Sequence, residues 1–221
     1  MWVKICGWND PEVLRESLAL GLPDAIGLNF FKKSPRVVNW LKAREMRRML
    51  PASVETVGVF VNHTPAEIRK IVTDVGLTHV QLHGDESPAI AWLLRDLSLI
   101  RVYRLKTPSL DPIKQDLAAL AARRIRPWAC LVDAWHATDY GGTGAVAPWT
   151  ALTEWKAEWP RLILAGGLTP DNVAEACRIV KPFGVDAASG VESERGRKSP
   201  QLVQAFLNAA RLAEPGGLIA T

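Results

Sequence analysis

The stretch WVKICGWNDP, residues 2–11, contains one complete strand–turn–helix instruction. Side chains of an extended strand alternate between faces, so Val3 and Ile5 share one side while Lys4 and Cys6 share the other. Gly7 ends the apolar run. Asp10 then precedes Pro11, a pair that suits a helix start. The aspartate oxygen accepts an orphan backbone N–H, and proline loses nothing at the first helical position.

The unit recurs along the chain. Further pairs of this kind are Thr64–Pro65, Ser87–Pro88, Asp111–Pro112, Thr169–Pro170 and Ser199–Pro200, and Thr64 with Glu67 completes a capping box. Helical spacing puts Ile68, Ile71, Val72 and Val75 on one face. It does the same for Ile90, Leu93, Leu94 and Leu97, and for Val173, Ala176, Cys177 and Val180. Strand-like runs cover Trp2–Cys6, Ala25–Phe30, Thr56–Val61, His79–Leu82, Leu99–Tyr103, Trp128–Asp133, Leu162–Ala165 and Val185–Ala188. The reading is eight strands in strict alternation with eight helical stretches. Such alternation implies a parallel sheet, and eight units in ~200–250 residues match a closed (β/α)8 TIM barrel. All 221 residues, 1–221, are predicted to form a single α/β domain. A doubly wound open sheet is the competing architecture. The first strand-to-helix turn, CGWNDP, lacks the G-x-G-x-x-G of a dinucleotide fold.

Composition narrows the class of function. The chain is 48% hydrophobic and 23% charged, which is ordinary for a globular protein. The net charge of +4 is mild, and the basic residues are scattered, with short clusters at Lys32–Lys33, Arg44–Arg48 and Arg123–Arg126. That pattern reads as a solvated surface. A nucleic-acid face needs a denser stripe with interleaved aromatics, so no nucleic-acid partner is expected. A basic balance also suits a small anionic substrate. Three cysteines make no disulfide framework, which fits a reducing, cytoplasmic setting. No signal-like segment opens the chain and no ~20-residue apolar run is present, so no membrane partner is expected.

In a barrel the apolar strand face meets the helices, and the other face points inward. Lys4 and Cys6, Gln81 and His83, Leu131 and Asp133, and Asp186 and Ala188 are then inward pairs. The polar ones gather at C-terminal strand ends, where active sites of this fold lie. Two glycine-bearing turns follow the last strands: LAGGLTPDNV, with Gly166 and Gly167, and ASGVES, with Ser189 and Gly190. Backbone amides in such turns approach an anion closely. Alone, Gly166 and Gly167 read equally as turn residues; their paired location, after strands seven and eight, favours phosphate. Asp133 ends strand six, before the long loop AWHATDYGGTG. It is a general acid/base candidate or, alternatively, a cap or salt-bridge partner. Cys130 and Cys177 read as small hydrophobes; Cys6 differs by sharing a polar face. FFKKSPRVV offers Lys32, Lys33 and Arg36 as either surface charge or an anion clamp. His83 is a substrate contact or a structural histidine. No His/Cys/carboxylate set has metal-ligand spacing, so no metal site is expected.

Taken together, VKICG, FFKKSPRVV, VGVFVN, VQLHGDE, LVDAW…DYGGTG, LAGGLTPDNV and VDAASGVE resemble, in order, the phosphoribosylanthranilate isomerase family of tryptophan biosynthesis. The resemblance runs from Val3 to about Lys198; the combination is specific, though no single motif is. Trp8, Asn9 and the bulky AWHATD are its departures. The resemblance implies an isomerase that carries out an Amadori rearrangement on a small phosphorylated substrate without any cofactor. It implies Cys6 as general base, Asp133 as general acid and Arg36 as the carboxylate-binding residue. A monomer or homodimer is expected. Another phosphosugar barrel isomerase would use a second carboxylate where Cys6 stands. A DNA-binding domain would bind with strong salt dependence and need neither Cys6 nor Asp133.

Lys4 remains to be explained. An unpaired buried charge is very costly. Barrel closure makes strand eight the neighbour of strand one, and strand eight offers one inward acid, Asp186. The expectation is a Lys4–Asp186 ion pair below the site; the alternative is Lys4 reaching out to solvent.

Overall fold

A computed structural model of the chain describes residues 1–105, 107–133 and 148–213. Eight parallel strands close into a barrel in sequence order. They are β1 (Trp2–Cys6), β2 (Ala25–Asn29), β3 (Glu55–Phe60), β4 (His79–Leu82), β5 (Leu99–Arg104), β6 (Ala129–Asp133), β7 (Arg161–Ala165) and β8 (Gly184–Ala187). The helices are α1 (Pro11–Leu20), α2 (Trp40–Met49), α3 (Pro65–Val75), α4 (Pro88–Leu93), α5 (Asp111–Ala121), α6 (Val173–Val180) and α7 (Pro200–Leu212). A short antiparallel hairpin, β9 (Glu192–Glu194) with β10 (Arg197–Lys198), follows β8. Among the described residues, no helix is long and apolar enough to cross a membrane.

Strand parity decides the layers. Val3, Ile5, Val80, Leu82, Val132, Val185 and Ala187 pack outward in the large sheet–helix core. Ala25, Val57, Ile100, Ala129, Leu131, Ile163 and Ala165 form a second buried cluster inside the barrel. The N-terminal end is plugged by aromatics: Trp2 meets Trp128 edge-on at 5.5 Å, and His79 meets Trp128 at 4.4 Å.

Helix starts follow the sequence signals with defined departures. Asp10 caps α1, Ser199 caps α7, and Thr64 with Glu67 closes the capping box of α3. Ser87 occupies the cap position of α4 without a side-chain cap bond. At α5 the helix begins on Asp111 itself, whose N–H is accepted by Ser109 Oγ at 3.2 Å. Thr169–Pro170 does not start a helix. Asn172 Oδ1 accepts the Thr169 N–H at 2.8 Å, the chain turns once more, and α6 opens at Val173. The apolar face expected from Ile90, Leu93, Leu94 and Leu97 is covered at three of its four positions: Leu94 is fully buried, and Ile90 and Leu97 pack against the core. Helix α4 has only 6 residues, and Leu93 at its end is 44% exposed. The unit after β6 carries a 3-10 helix, Pro148–Glu154, in place of an α-helix among the described residues. The loop AWHATDYGGTG lies outside the described residues.

Candidate active site

Eight of the residues singled out from the sequence line one cavity of about 560 Å³ at the C-terminal end of the strands: Cys6, Arg36, His83, Asp133, Gly166, Gly167, Ser189 and Gly190. A larger groove of about 640 Å³ at the opposite end is lined by Trp128, Trp155, Trp159 and Arg161 among others, but by no thiol, histidine or carboxylate.

The cysteine end is built by β1 and its neighbours. Gly27 lies beside Cys6 in the register. A Cβ on Gly27 would stand 2.7 Å from Cys6 Sγ, so glycine there leaves the thiol its space. Lys4, two residues earlier on the same face, is fully buried and pairs with Asp186 Oδ1 at 2.9 Å. The two residues are direct partners in the β1–β8 register, so the expected ion pair is present. Burial opposes the Lys4 charge, but Asp186 and Cys6 outweigh it and hold the ammonium above its usual value. Burial pushes the Cys6 thiol up; the charges of Lys4 and Lys198 pull the other way.

Asp133 ends β6, three strands away, and makes no side-chain hydrogen bond or ion pair among the described residues. Burial and the Asp186 charge raise its carboxyl, against Arg104. A carboxyl held this way keeps its proton to higher pH than a free aspartate, as a proton donor requires.

Arg36 sits in a loop tied back to β2. Asn29 Nδ2 donates to Ser34 Oγ at 3.2 Å, and Ser34 Oγ accepts the Arg36 N–H at 3.1 Å. Its guanidinium forms a bidentate pair with Glu192, at 2.5 and 2.8 Å. Lys198 reaches the same carboxylate at 2.7 Å and the Ala188 carbonyl at 2.9 Å. Burial pushes Glu192 up, but Arg36 and Lys198 prevail and hold it at about 2. The other two cations of the segment, Lys32 and Lys33, are exposed and outside this cavity, so surface charge is their role.

The glycine-bearing turns pack directly on one another. A Cβ on Gly190 would lie 1.9 Å from the Leu168 carbonyl oxygen, which only glycine avoids. Gly166 and Gly167 both adopt positive φ, +94° and +63°. The rim they share with Ser189 is lined by backbone and suits a phosphate.

His83 contacts Gln81 through Nδ1 at 2.9 Å. Burial, Arg104 and Lys4 hold it at about 4, so its ring is neutral near pH 7. Its protonation therefore favours unfolding. The stability this brings is present above the unfolded value of about 6.5 and drains as pH falls toward 4. The thermal midpoint should drop across that window and drop less in His83→Gln. His79, which burial also lowers, adds to the slope, and below about pH 5 so does the depressed carboxylate of Glu192. Equal slopes in the two proteins would refute the assignment.

Sequence reading missed Asn29, Glu192 and Lys198. Asn29 ends β2 on the same face as Ala25 and Gly27, so strand parity was the signal that could have found it; Glu192 and Lys198 belong to the short hairpin after β8, outside the barrel's repeat.

A closed eight-stranded barrel with an acid, a thiol, an arginine and two glycine-bearing turns at its C-terminal mouth defines a (β/α)8-barrel enzyme. A family model described as N-(5'phosphoribosyl)anthranilate (PRA) isomerase matches residues 3–209. The chain belongs to that family and is an isomerase. It is 42% identical over 210 residues to an N-(5'-phosphoribosyl)anthranilate isomerase of Geobacter sulfurreducens, covering 95% of this chain and 98% of that one. It also superposes on the phosphoribosyl anthranilate isomerase of Thermotoga maritima, with a TM-score of 0.79 and 33% identity over 95% of this chain and 98% of that one. Another isomerase structure, in complex with reduced 1-(o-carboxyphenylamino)-1-deoxyribulose 5-phosphate, matches with a TM-score of 0.76 and 32% identity over 95% of this chain and 97% of that one.

Proposed function

We propose that this isomerase converts N-(5'-phosphoribosyl)anthranilate to 1-(2-carboxyphenylamino)-1-deoxyribulose 5-phosphate in tryptophan biosynthesis, with Asp133 as general acid and Cys6 as general base. The observation that carries the reading is that Cys6 and Asp133, on strands three apart, open on one cavity with Arg36 and both glycine-bearing turns. The ligand held by a related isomerase, a reduced carboxyphenylamino sugar phosphate, supports the same substrate class.

The sequence of steps follows from proton positions. Protonated Asp133 gives its proton to the furanose ring oxygen as the C1'–O bond breaks, and the ring opens to a protonated imine. Cys6, as thiolate, removes the proton on C2', and the electron pair closes to an enolamine. The enolamine tautomerises to the ketone. Asp133 regains a proton, and Cys6 loses one, through solvent before the next turnover. The phosphate is anchored by the backbone of Gly166, Gly167, Ser189 and Gly190. Arg36 takes the anthranilate carboxylate, and His83 is a neutral substrate contact. No cofactor enters any step.

One assay tests both activity and anchoring. Purified protein mixed with phosphoribosylanthranilate should abolish the substrate's fluorescence. Arg36→Met should raise KM by at least about tenfold, as loss of a charge-assisted hydrogen bond worth ~1.5–3 kcal/mol implies. Inorganic phosphate should still bind near Gly167 and Ser189. Persistent fluorescence with the native chain, or an unchanged KM in the variant, counts against the reading.

A further inference from the structure

Burial opposes ionisation of Cys6, yet the base must be a thiolate to act. Two ammonium groups flank it. Lys4 lies two residues before Cys6 on the same inward strand face; its Nζ is hydrogen-bonded to Asp186 at 2.9 Å, and its charge acts on the thiol. Lys198, 3% exposed, is held by Glu192 at 2.7 Å and by the Ala188 carbonyl at 2.9 Å, and its charge also acts on Cys6. Each lysine thus has its own buried carboxylate. Arg36 is the remaining cation near the thiol. Gly27 of β2 lies against it, and Asn29, Asp133 and His83 line the same cavity.

Buried ion pairs are poor stability devices, because well-packed apolar residues of similar volume often do as well or better. Two such pairs beside one thiol call for an electrostatic purpose. A charge in a water-excluded site acts far more strongly than in solvent.

We propose that Lys4 and Lys198 are positioning residues for the base: their ammonium groups stabilise the Cys6 thiolate, and Asp186 and Glu192 fix them beside it. The proposal rests on Cys6 being the general base. Asp186 has a double effect, since it anchors Lys4 but also opposes the negative charge on sulfur.

The test is a titration of the thiol itself in the full chain. Alkylation of Cys6 by iodoacetamide is followed against pH, with the Cys6 peptide resolved from those of Cys130 and Cys177 by mass spectrometry. Lys4→Met and Lys198→Met should each move the midpoint upward, by about one pH unit or more for Lys4, which shares the buried strand face with the thiol. Turnover at neutral pH should fall about tenfold per unit with the thiolate fraction. Asp186→Asn keeps an oxygen acceptor for Lys4 while removing the charge that opposes the thiolate, so it should move the midpoint the other way. Loss of packing cannot produce opposite signs, and Lys198→Met with Asp186→Asn suffices if Lys4→Met does not fold. Midpoints unchanged in the lysine variants, or moved upward by Asp186→Asn, would overturn the proposal. An active Cys6→Ala enzyme would instead remove the base and leave the lysines' effect on the thiol intact.

Discussion

Cys6→Ala and Asp133→Ala should each lower turnover by at least about 100-fold, the lower end of what a general acid or base contributes. The barrel should survive both changes. Cys6 is a small side chain next to Gly27, so alanine removes little more than the sulfur. Asp133 is only partly buried and anchors no other side chain among the described residues, so its loss strands no partner. Asp133→Asn separates chemistry from shape, because the amide fills the same volume and delivers no acid proton. Steady-state turnover and circular dichroism on the same samples decide the matter. Near-native turnover in both alanine variants would end the two-residue assignment.

The second large effect concerns stability. Asp186→Ala should cost about 3–5 kcal/mol, the range for breaking a buried pair and leaving one charge uncompensated. Lys4 is fully buried, and its direct register partner on β8 is Asp186. Once the carboxylate is gone, the buried ammonium has lost its ion-pair partner. The exposed pair Arg69–Asp96 serves as a control. Its removal should leave the urea midpoint nearly unchanged, since solvent-exposed pairs contribute little. Urea unfolding of both variants gives the comparison. A midpoint for Asp186→Ala close to that of the surface control would show that Lys4 is not held by this pair.

The contrast between these residues shows how far a linear sequence reaches. Lys4 and Asp186 are 182 positions apart, yet their pairing was legible. Strand parity turns both side chains inward, and closure of eight alternating units makes β8 the neighbour of β1. The same parity brought Cys6 and Asp133 to one mouth, and the glycine-bearing turns followed from their place after β7 and β8. These are consequences of local periodicity plus a single topological rule. Family motifs supplied the roles proposed for Cys6, Asp133 and Arg36; periodicity alone leaves them as alternatives.

The tertiary structure alone decided the rest. Glu192 is joined to Arg36 across 156 positions and to Lys198 within a hairpin. Neither segment has a period from which a face can be inferred. Thr169–Pro170 carried a valid helix-start signal, but hydrogen bonding to Asn172 kept it in a turn. Leu93 carried the same apolar spacing as Ile90, Leu94 and Leu97, but α4 ended at it and left it exposed while the other three pack on the core. The sequence by itself determined which side chains face the barrel interior, because a strand has only two faces and the chain repeats one unit. Which charges meet above the strand ends depended on loop paths, where many backbone conformations compete and only packing in three dimensions selects one.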